Sequence, residues 1–291
     1  MFGIWIVFSF IYSSIKNGFK SDEDDYEYVD YYEDDSQDFD EDSDYERPRP
    51  ESESFDEIRD EILVGDYYVH EHTWKDNKQN EYEGTFKVKE SYMNVCTAYR
   101  DGLRGSSTYP QVYKKLSNFD KNKLDELIDM YDEIKHDKKL NQKQFADMVV
   151  TSIQNIPYVL VHDYSHEEAD EKWGGFIEEY HKSGDVCLEK IKFGLQSPVE
   201  FMCNFLGDCD TRVLLCYLVL KEFGFDVAML GSTTYGHEVL GISGNYRGSY
   251  VKKDGIKYYA WETTATGYRP GVLSPDFSNM DYWFVDITSR D

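Results

Sequence analysis

The sequence predicts an α+β protein. Three observations carry that expectation. Segments rich in aromatic and β-branched residues occupy 62–98. A middle stretch, from about 120 to Gly224, carries apolar stripes at helical spacing with recognisable caps. Beyond Gly224 the chain returns to strand-like segments separated by turns rich in Gly and Asn. Helices and strands that are segregated rather than alternating favour antiparallel sheets over a parallel βαβ design.

The 291 residues divide into four regions. Residues 1–20 form an apolar N-terminal segment, whose run from Phe2 to Ile15 is uncharged and is followed by Lys16 and Lys20. It is shorter than the ~20 residues of a spanning helix. It also lacks a basic n-region and a small-residue cleavage site. Three readings stay open: a short membrane anchor, an uncleaved signal sequence, and an apolar terminus of a soluble chain. As an anchor, the two lysines place the following chain on the cytoplasmic side. Residues 21–60 read as an acidic, disordered linker, because residues 22–46 hold 15 Asp or Glu and no Lys or Arg. A solvated spacer is the plain reading of that tract, and a docking tail for a basic partner the sharper one. Residues 61–110 read as a β-rich extension, with Tyr67–Val69 and Thr85–Val88 flanking a polar turn. Residues 111–291 form the main domain.

Within that domain the periodicity predicts a helix at about 120–135, with Leu124, Leu127, Ile128, Tyr131 and Ile134 on one face. Asn141 with Gln144 is a capping-box variant that opens the next helix, and Phe145, Met148, Val149, Ser152 and Ile153 form its inner stripe. Ser197-Pro198-Val199-Glu200 is a full helix start, with cap, first-turn proline and acid three residues on. Gly207-Asp208 interrupts the chain, and a helix is expected from about Cys209 to Phe223, with Gly224 beyond its end. Residues 213–220 are apolar nearly all round, so this helix belongs at the centre. Strands are expected at 227–230, 237–242, 256–263 and 283–287.

The formal net charge of −26 excludes a polyphosphate partner, which needs a basic footprint, so no nucleic acid is expected. Five cysteines without a C-x-x-C spacing make neither a disulfide scaffold nor a structural zinc motif. One of them is better placed for chemistry. Cys209 heads the buried helix, where free N–H groups and the helix dipole favour thiolate, while Asp208 and Asp210 oppose it unless they turn away to cap the helix. His237 begins a strand, and a hairpin from 237–242 to 256–263, looped through 244–255, brings Glu262 opposite it. A carboxylate that orients an imidazole, which in turn activates a thiol, is the logic of acyl transfer. Taken singly, a buried cysteine is usually filler, a strand histidine is usually a satisfied polar residue, and a strand glutamate usually faces solvent.

The set Pro198-Val199-Glu200, Gly207-Asp208-Cys209-Asp210-Thr211, Gly236-His237 and Glu262-Thr263-Thr264, with Gly267, resembles the transglutaminase-like superfamily, in particular its prokaryotic, protease-like branch. The upstream segment Ile153-Gln154-Asn155-Ile156-Pro157-Tyr158 is similar too, and the likeness spans about 110–290. The resemblance implies a papain-like core, with the cysteine heading a central helix packed on an antiparallel sheet. It implies Cys209 as nucleophile, His237 as base and Glu262 as orienting acid, acting on peptide or protein amides through a thioester. It implies no metal and no organic cofactor. Many members carry Asp at the acid position, so the longer Glu is a departure, and Asp286 is the rival. Hydrolysis is the leading expectation, with a catalytically inactive binding module as the alternative.

Other residues receive plainer readings. Cys203, Cys209 and Cys216 lack a nearby histidine and are not expected to hold metal. Cys96 and Cys187 read as ordinary thiols, and a Cys187 disulfide requires an exported domain. His162-Asp163 and His166-Glu167-Glu168 read as a solvated loop in preference to a calcium or zinc site. Trp261 and Tyr235 are candidates for a peptide groove, against the simpler reading of core packing.

Overall fold

A computed structural model describes residues 63–182 and 184–291. The expected N-terminal segment (1–20) and acidic linker (21–60) lie outside the described residues, as does the start of the β-rich region. The described chain is α+β, with eight α-helices, a three-stranded and a five-stranded antiparallel sheet, and a short parallel strand pair. No helix among the described residues is long and apolar enough to cross a membrane.

The first sheet is β1 (Leu63–Val64), β2 (Tyr67–Lys75) and β3 (Glu81–Lys89), joined by a turn at 76–80. Its inner face alternates as a pleat requires: Tyr68 and Trp74 from β2, and Tyr82, Phe86 and Val88 from β3, are buried. Strand character ends at Lys89. Residues 90–98, expected as strand, belong to α1 (Glu90–Gly102). The apolar positions Tyr92, Cys96 and Tyr99 recur every three to four residues, not every two, and the dipole is matched by Glu90 at the start and Arg100 at the end. Arg100 is itself buried and donates to Glu200 at 2.7 Å.

Helix α2 (Tyr109–Asp120) was not anticipated. It opens on a Thr108/Gln111 capping box with Pro110 in the first turn. The helix expected at 120–135 is α3 (Asp125–Asp137), separated from α2 by a 3-10 turn at Lys121–Lys123. Helix α4 (Gln142–Gln154) starts at the expected Asn141 cap and buries all five residues of the expected stripe. After β4 (Leu160–Val161) come α5 (His166–Trp173), α6 (Phe176–Lys182) and β5 (Cys187–Leu188). So 162–168 is not a solvated loop: His162 is buried, and a Ser165/Glu168 capping box starts α5. Helix α7 (Pro198–Asn204) has the expected Ser197 capping box. Helix α8 (Cys209–Glu222) is buried on all sides from Thr211 to Leu220, and Gly224 takes a positive φ of 78° just beyond it.

The second sheet has the order β10-β6-β7-β9-β8, all antiparallel. Its strands are β6 (Val227–Ser232), β7 (His237–Ser243), β8 (Tyr250–Lys253), β9 (Ile256–Trp261) and β10 (Phe284–Thr288). The expected loop 244–255 contains β8, which pairs with β9 as a tight hairpin. Helix α8 packs on β6 and β7, and the opposite face of the sheet is covered by Leu273, Met280 and Trp283. One apolar core runs from Tyr68, Trp74 and Phe86 of the first sheet through α4, α7 and α8 to Met229, Leu240 and Trp261 of the second. Trp261, a groove candidate by sequence, is 1% exposed and belongs to that core.

Because the two sheets share a core, cavity formation in one is felt by both. Phe86→Ala is expected to lower stability by about 3–5 kcal/mol while the described region still unfolds in one transition. Urea unfolding followed in parallel by tryptophan fluorescence and far-UV circular dichroism measures this, and two separated transitions in the wild type contradict it.

Candidate active site

Three elements converge at the N-terminus of α8. Asp208 is the helix cap, and its carboxylate accepts the Thr211 N–H at 3.3 Å. Cys209 is the first helical residue. Gly207 precedes the cap at a point where a Cβ would lie 2.9 Å from both Phe201 and Thr211, so the loop presenting the cysteine tolerates no side chain there. Strand β7 begins at His237, and β9 ends one residue before Glu262.

His237 and Glu262 are paired at 2.9 Å, Nε2 to Oε2, and both side chains are almost completely buried. They are not directly opposite, as the sequence analysis expected. The β7–β9 register pairs Leu240 with Trp261, so continuing it places Glu262 beside Val239, diagonal to His237. The long glutamate side chain spans that diagonal. Its other oxygen accepts three donors: the N–H groups of Thr263 at 2.9 Å and Thr264 at 3.0 Å, and the Thr264 hydroxyl at 2.8 Å. Burial alone pushes the Glu262 carboxyl up. The charge and hydrogen bond of His237, with the Thr264 donors, outweigh burial and hold it down at about 2. Gln154, at the end of α4, fixes the same residue from behind by donating to the Glu262 carbonyl at 2.7 Å.

The Cys209 thiol is 6% exposed and donates to Asp210 Oδ1 at 3.0 Å. Burial, then the charges of Asp210 and Asp208, push it well up, and the Glu238 backbone N–H next to His237 opposes them only in part. Of the opposing effects that the sequence left undecided, desolvation and two carboxylates prevail over the helix dipole. Asp208 turns to cap the helix, but Asp210 does not. It faces the sulfur and accepts the Tyr113 hydroxyl at 2.9 Å.

Asp286, the rival acid, sits elsewhere. Strands β7 and β10 flank β6, and Glu238 and Asp286 approach each other over Gly231, where a Cβ would lie 2.2 Å from Asp286 and 2.8 Å from Glu238. Burial, then the neighbouring carboxylates, push Glu238 well up, and burial with Asp210 pushes Asp286 up to about 7 despite its hydrogen bond to Glu238. Both carboxyls are thus held above the ordinary carboxylate range, because two like charges this close and this buried oppose each other's ionisation.

An aromatic wall stands beside the imidazole. The His237 ring lies 5.1 Å from Phe277 and 5.9 Å from Trp283, and Tyr235 packs against Phe277, Tyr282 and Trp283. Tyr235, the other groove candidate, is thus part of this wall, of which Tyr282 is exposed.

The sequence analysis missed Arg212, one turn into α8. It is fully buried between the rings of Tyr158 and Phe201. It donates to five backbone carbonyls: Ile153 and Ile156 at 2.8 Å, Gly207 at 2.9 Å, Thr263 at 3.3 Å, and Pro157. An arginine inside an otherwise apolar helix was the available signal, since a buried cation requires partners.

The upward shift of Glu238 and Asp286 has a measurable consequence. Between about pH 4, where a free carboxyl titrates, and 7, the folded state binds more protons than the unfolded chain, so this pair lowers stability as the pH rises. Glu262 acts in the opposite sense, and its contribution is lost only as the pH falls toward 2. Asp286→Asn is expected to flatten the decline, so that variant minus wild-type stability grows by on the order of 1–3 kcal/mol from pH 5 to pH 8. Urea midpoints at the two pH values test this, and an unchanged difference contradicts it. Comparisons with protein-family models, with curated proteins and with solved structures return no match to this chain.

Proposed function

We propose that the protein is a thiol-dependent acyl-transfer enzyme of transglutaminase-like, papain-like design, acting on peptide or protein amides through Cys209, His237 and Glu262. The observation that carries this reading is the buried His237–Glu262 pair at 2.9 Å, set directly before Glu238, whose backbone N–H faces the Cys209 sulfur. With Nε2 committed to the carboxylate, Nδ1 is the ring nitrogen that exchanges a proton with sulfur. The Cys209 proton passes to Nδ1, and the thiolate attacks the carboxamide carbon. The backbone N–H of Cys209, in the unbonded first turn of α8, stabilises the oxyanion. His237 returns the proton to the departing amine, leaving a thioester. Water then releases an acid, or a second amine yields a new amide. The aromatic wall of Tyr235, Phe277, Tyr282 and Trp283 suits an extended peptide better than a small polar molecule.

One observation favours a second reading, that of an inactive binding module. The thiol is buried and its proton is held by Asp210. In the enzyme reading, this is the resting state, and Asp210 is the group that keeps the sulfur protonated in it.

Alkylation by iodoacetamide at pH 7, resolved by mass spectrometry over all five cysteines, separates the two. The enzyme reading expects Cys209 to label at least about 10-fold faster in Asp210→Asn than in the wild type, and about 10²-fold slower when His237→Ala is added. Equal labelling of Cys209 and the other buried thiols in every variant establishes the binding module instead. With a peptide amide substrate in hand, Glu262→Gln is expected to lower kcat by about 10²-fold or more while leaving the fold intact.

A further inference from the structure

A second constellation lies outside the triad, in the excursion between α4 and α7. His162 follows β4, His166 opens α5, His181 lies near the end of α6, and Cys187 opens β5. These side chains are distant in sequence, and the parallel pairing of β4 with β5 brings them together. The Cys187 sulfur is 3.3 Å from His166 Nε2 and 3.1 Å from His181 Nε2. Donor atoms of His162, His166 and Cys187 all lie within 4.8 Å of one another.

Hydrogen bonding alone leaves this cluster incomplete. One imidazole accepts the thiol proton and the other donates to sulfur, but His162 is 3% exposed and its ring nitrogens make no hydrogen bond of good geometry, with only the Tyr164 backbone near enough to act on the ring. A buried ring with nitrogens so poorly satisfied is costly. A cation at the centre of the group gives one of them a bond.

We propose that His162, His166 and Cys187 bind a zinc-class divalent transition metal as a structural site, with the exposed His181, whose Nε2 lies 3.1 Å from the Cys187 sulfur, moving in as the fourth ligand. The donor set, three imidazoles and one thiolate, is the one tetrahedral zinc takes. A tetrahedral centre with ordinary Zn–S and Zn–N lengths separates sulfur from nitrogen by about 3.6 Å, so the contacts of 3.1 and 3.3 Å need only a few tenths of an ångström of expansion. The surroundings also fit. Glu189 accepts the His166 backbone N–H at 2.8 Å and its carboxylate stands 3.9 Å from Nδ1 of the same ring, the place of an orienting carboxylate. Trp173 closes edge-on over His162, and Ala169, Phe176, Ile177 and Tyr180 form a small apolar core of their own beneath the group. That core is small for a segment of this length, which is the circumstance in which a metal staple contributes most. Nothing in this assignment depends on the Cys209 chemistry.

The test uses the untagged full-length chain, stripped with chelator and titrated with Co(II) as a spectroscopic stand-in for zinc. The expected result is one Co(II) per chain, with a thiolate-to-metal charge-transfer band and the intense visible bands of a tetrahedral centre, both displaced by one equivalent of Zn(II). Cys187→Ser is expected to abolish the charge-transfer band, and Cys209→Ser to leave it unchanged. His162→Gln is expected to weaken binding at least 100-fold, and zinc is expected to raise the Tm of the wild type but not of that variant. Absence of a thiolate band in the wild type overturns the assignment, whatever the folding of the variants. So does a band that survives Cys187→Ser or disappears in Cys209→Ser.

Discussion

The arrangement around Cys209, His237 and Glu262 depends on a buried guanidinium. Arg212 draws together three stretches of chain that secondary structure does not connect: the end of α4, the loop that presents Cys209, and the residue that follows Glu262. Each contributes backbone carbonyls at an element end or in a loop, and the planar fork of the side chain binds them together. Desolvating this cation is expensive. Five carbonyl dipoles and two flanking aromatic rings offset the cost, and the geometry they impose fixes the loop that carries Cys209 relative to the strand end that carries Glu262. Glu262 is thus held in place through the carbonyl of its neighbour Thr263, and Gln154 adds a second tether from α4 to the same strand end.

The protein treats its buried carboxyls in two opposite ways within one sheet. Glu262 has His237 on one oxygen and three threonine donors on the other, and it stays ionised. Glu238 has another acid as its neighbour, and burial with that neighbour's charge pushes its carboxyl well up. Burial acts in the same direction on both, so the partners decide the outcome. Gly231 makes the acidic pair sterically feasible, because any side chain on the intervening strand occupies the space where the two carboxyls meet.

Much of this was legible along the chain. The capping boxes at Asn141 and Ser197, the apolar stripe of α4 and the span of α8 are local signals, written in neighbouring residues, and each element formed where its caps stand. The three candidate site residues were legible because they sit at element ends: Cys209 at a helix start, His237 at a strand start, Glu262 just past a strand end. What escaped was of two kinds. Helix α1 was masked by its β-branched and aromatic content, although its spacing is helical. Arg212, the Glu238–Asp286 pair and the cluster around Cys187 depend on contacts between residues far apart in sequence, so no window along the chain contains them. The diagonal reach of Glu262 likewise depends on a strand register that a hairpin guess does not fix to within two residues.

The excursion between α4 and α7 leaves and rejoins the main body at nearly one place. At its outgoing foot, the Val159 N–H donates to the Gly207 carbonyl; at its returning foot, the Gln196 N–H donates to the Thr211 hydroxyl. Both anchors belong to the few residues around Cys209. The segment is therefore a cassette inserted at a fixed socket. Its interior can lengthen, shorten or be exchanged over evolutionary time at little entropic cost while both feet hold, and variation there alters what stands beside the sulfur without displacing the sulfur itself.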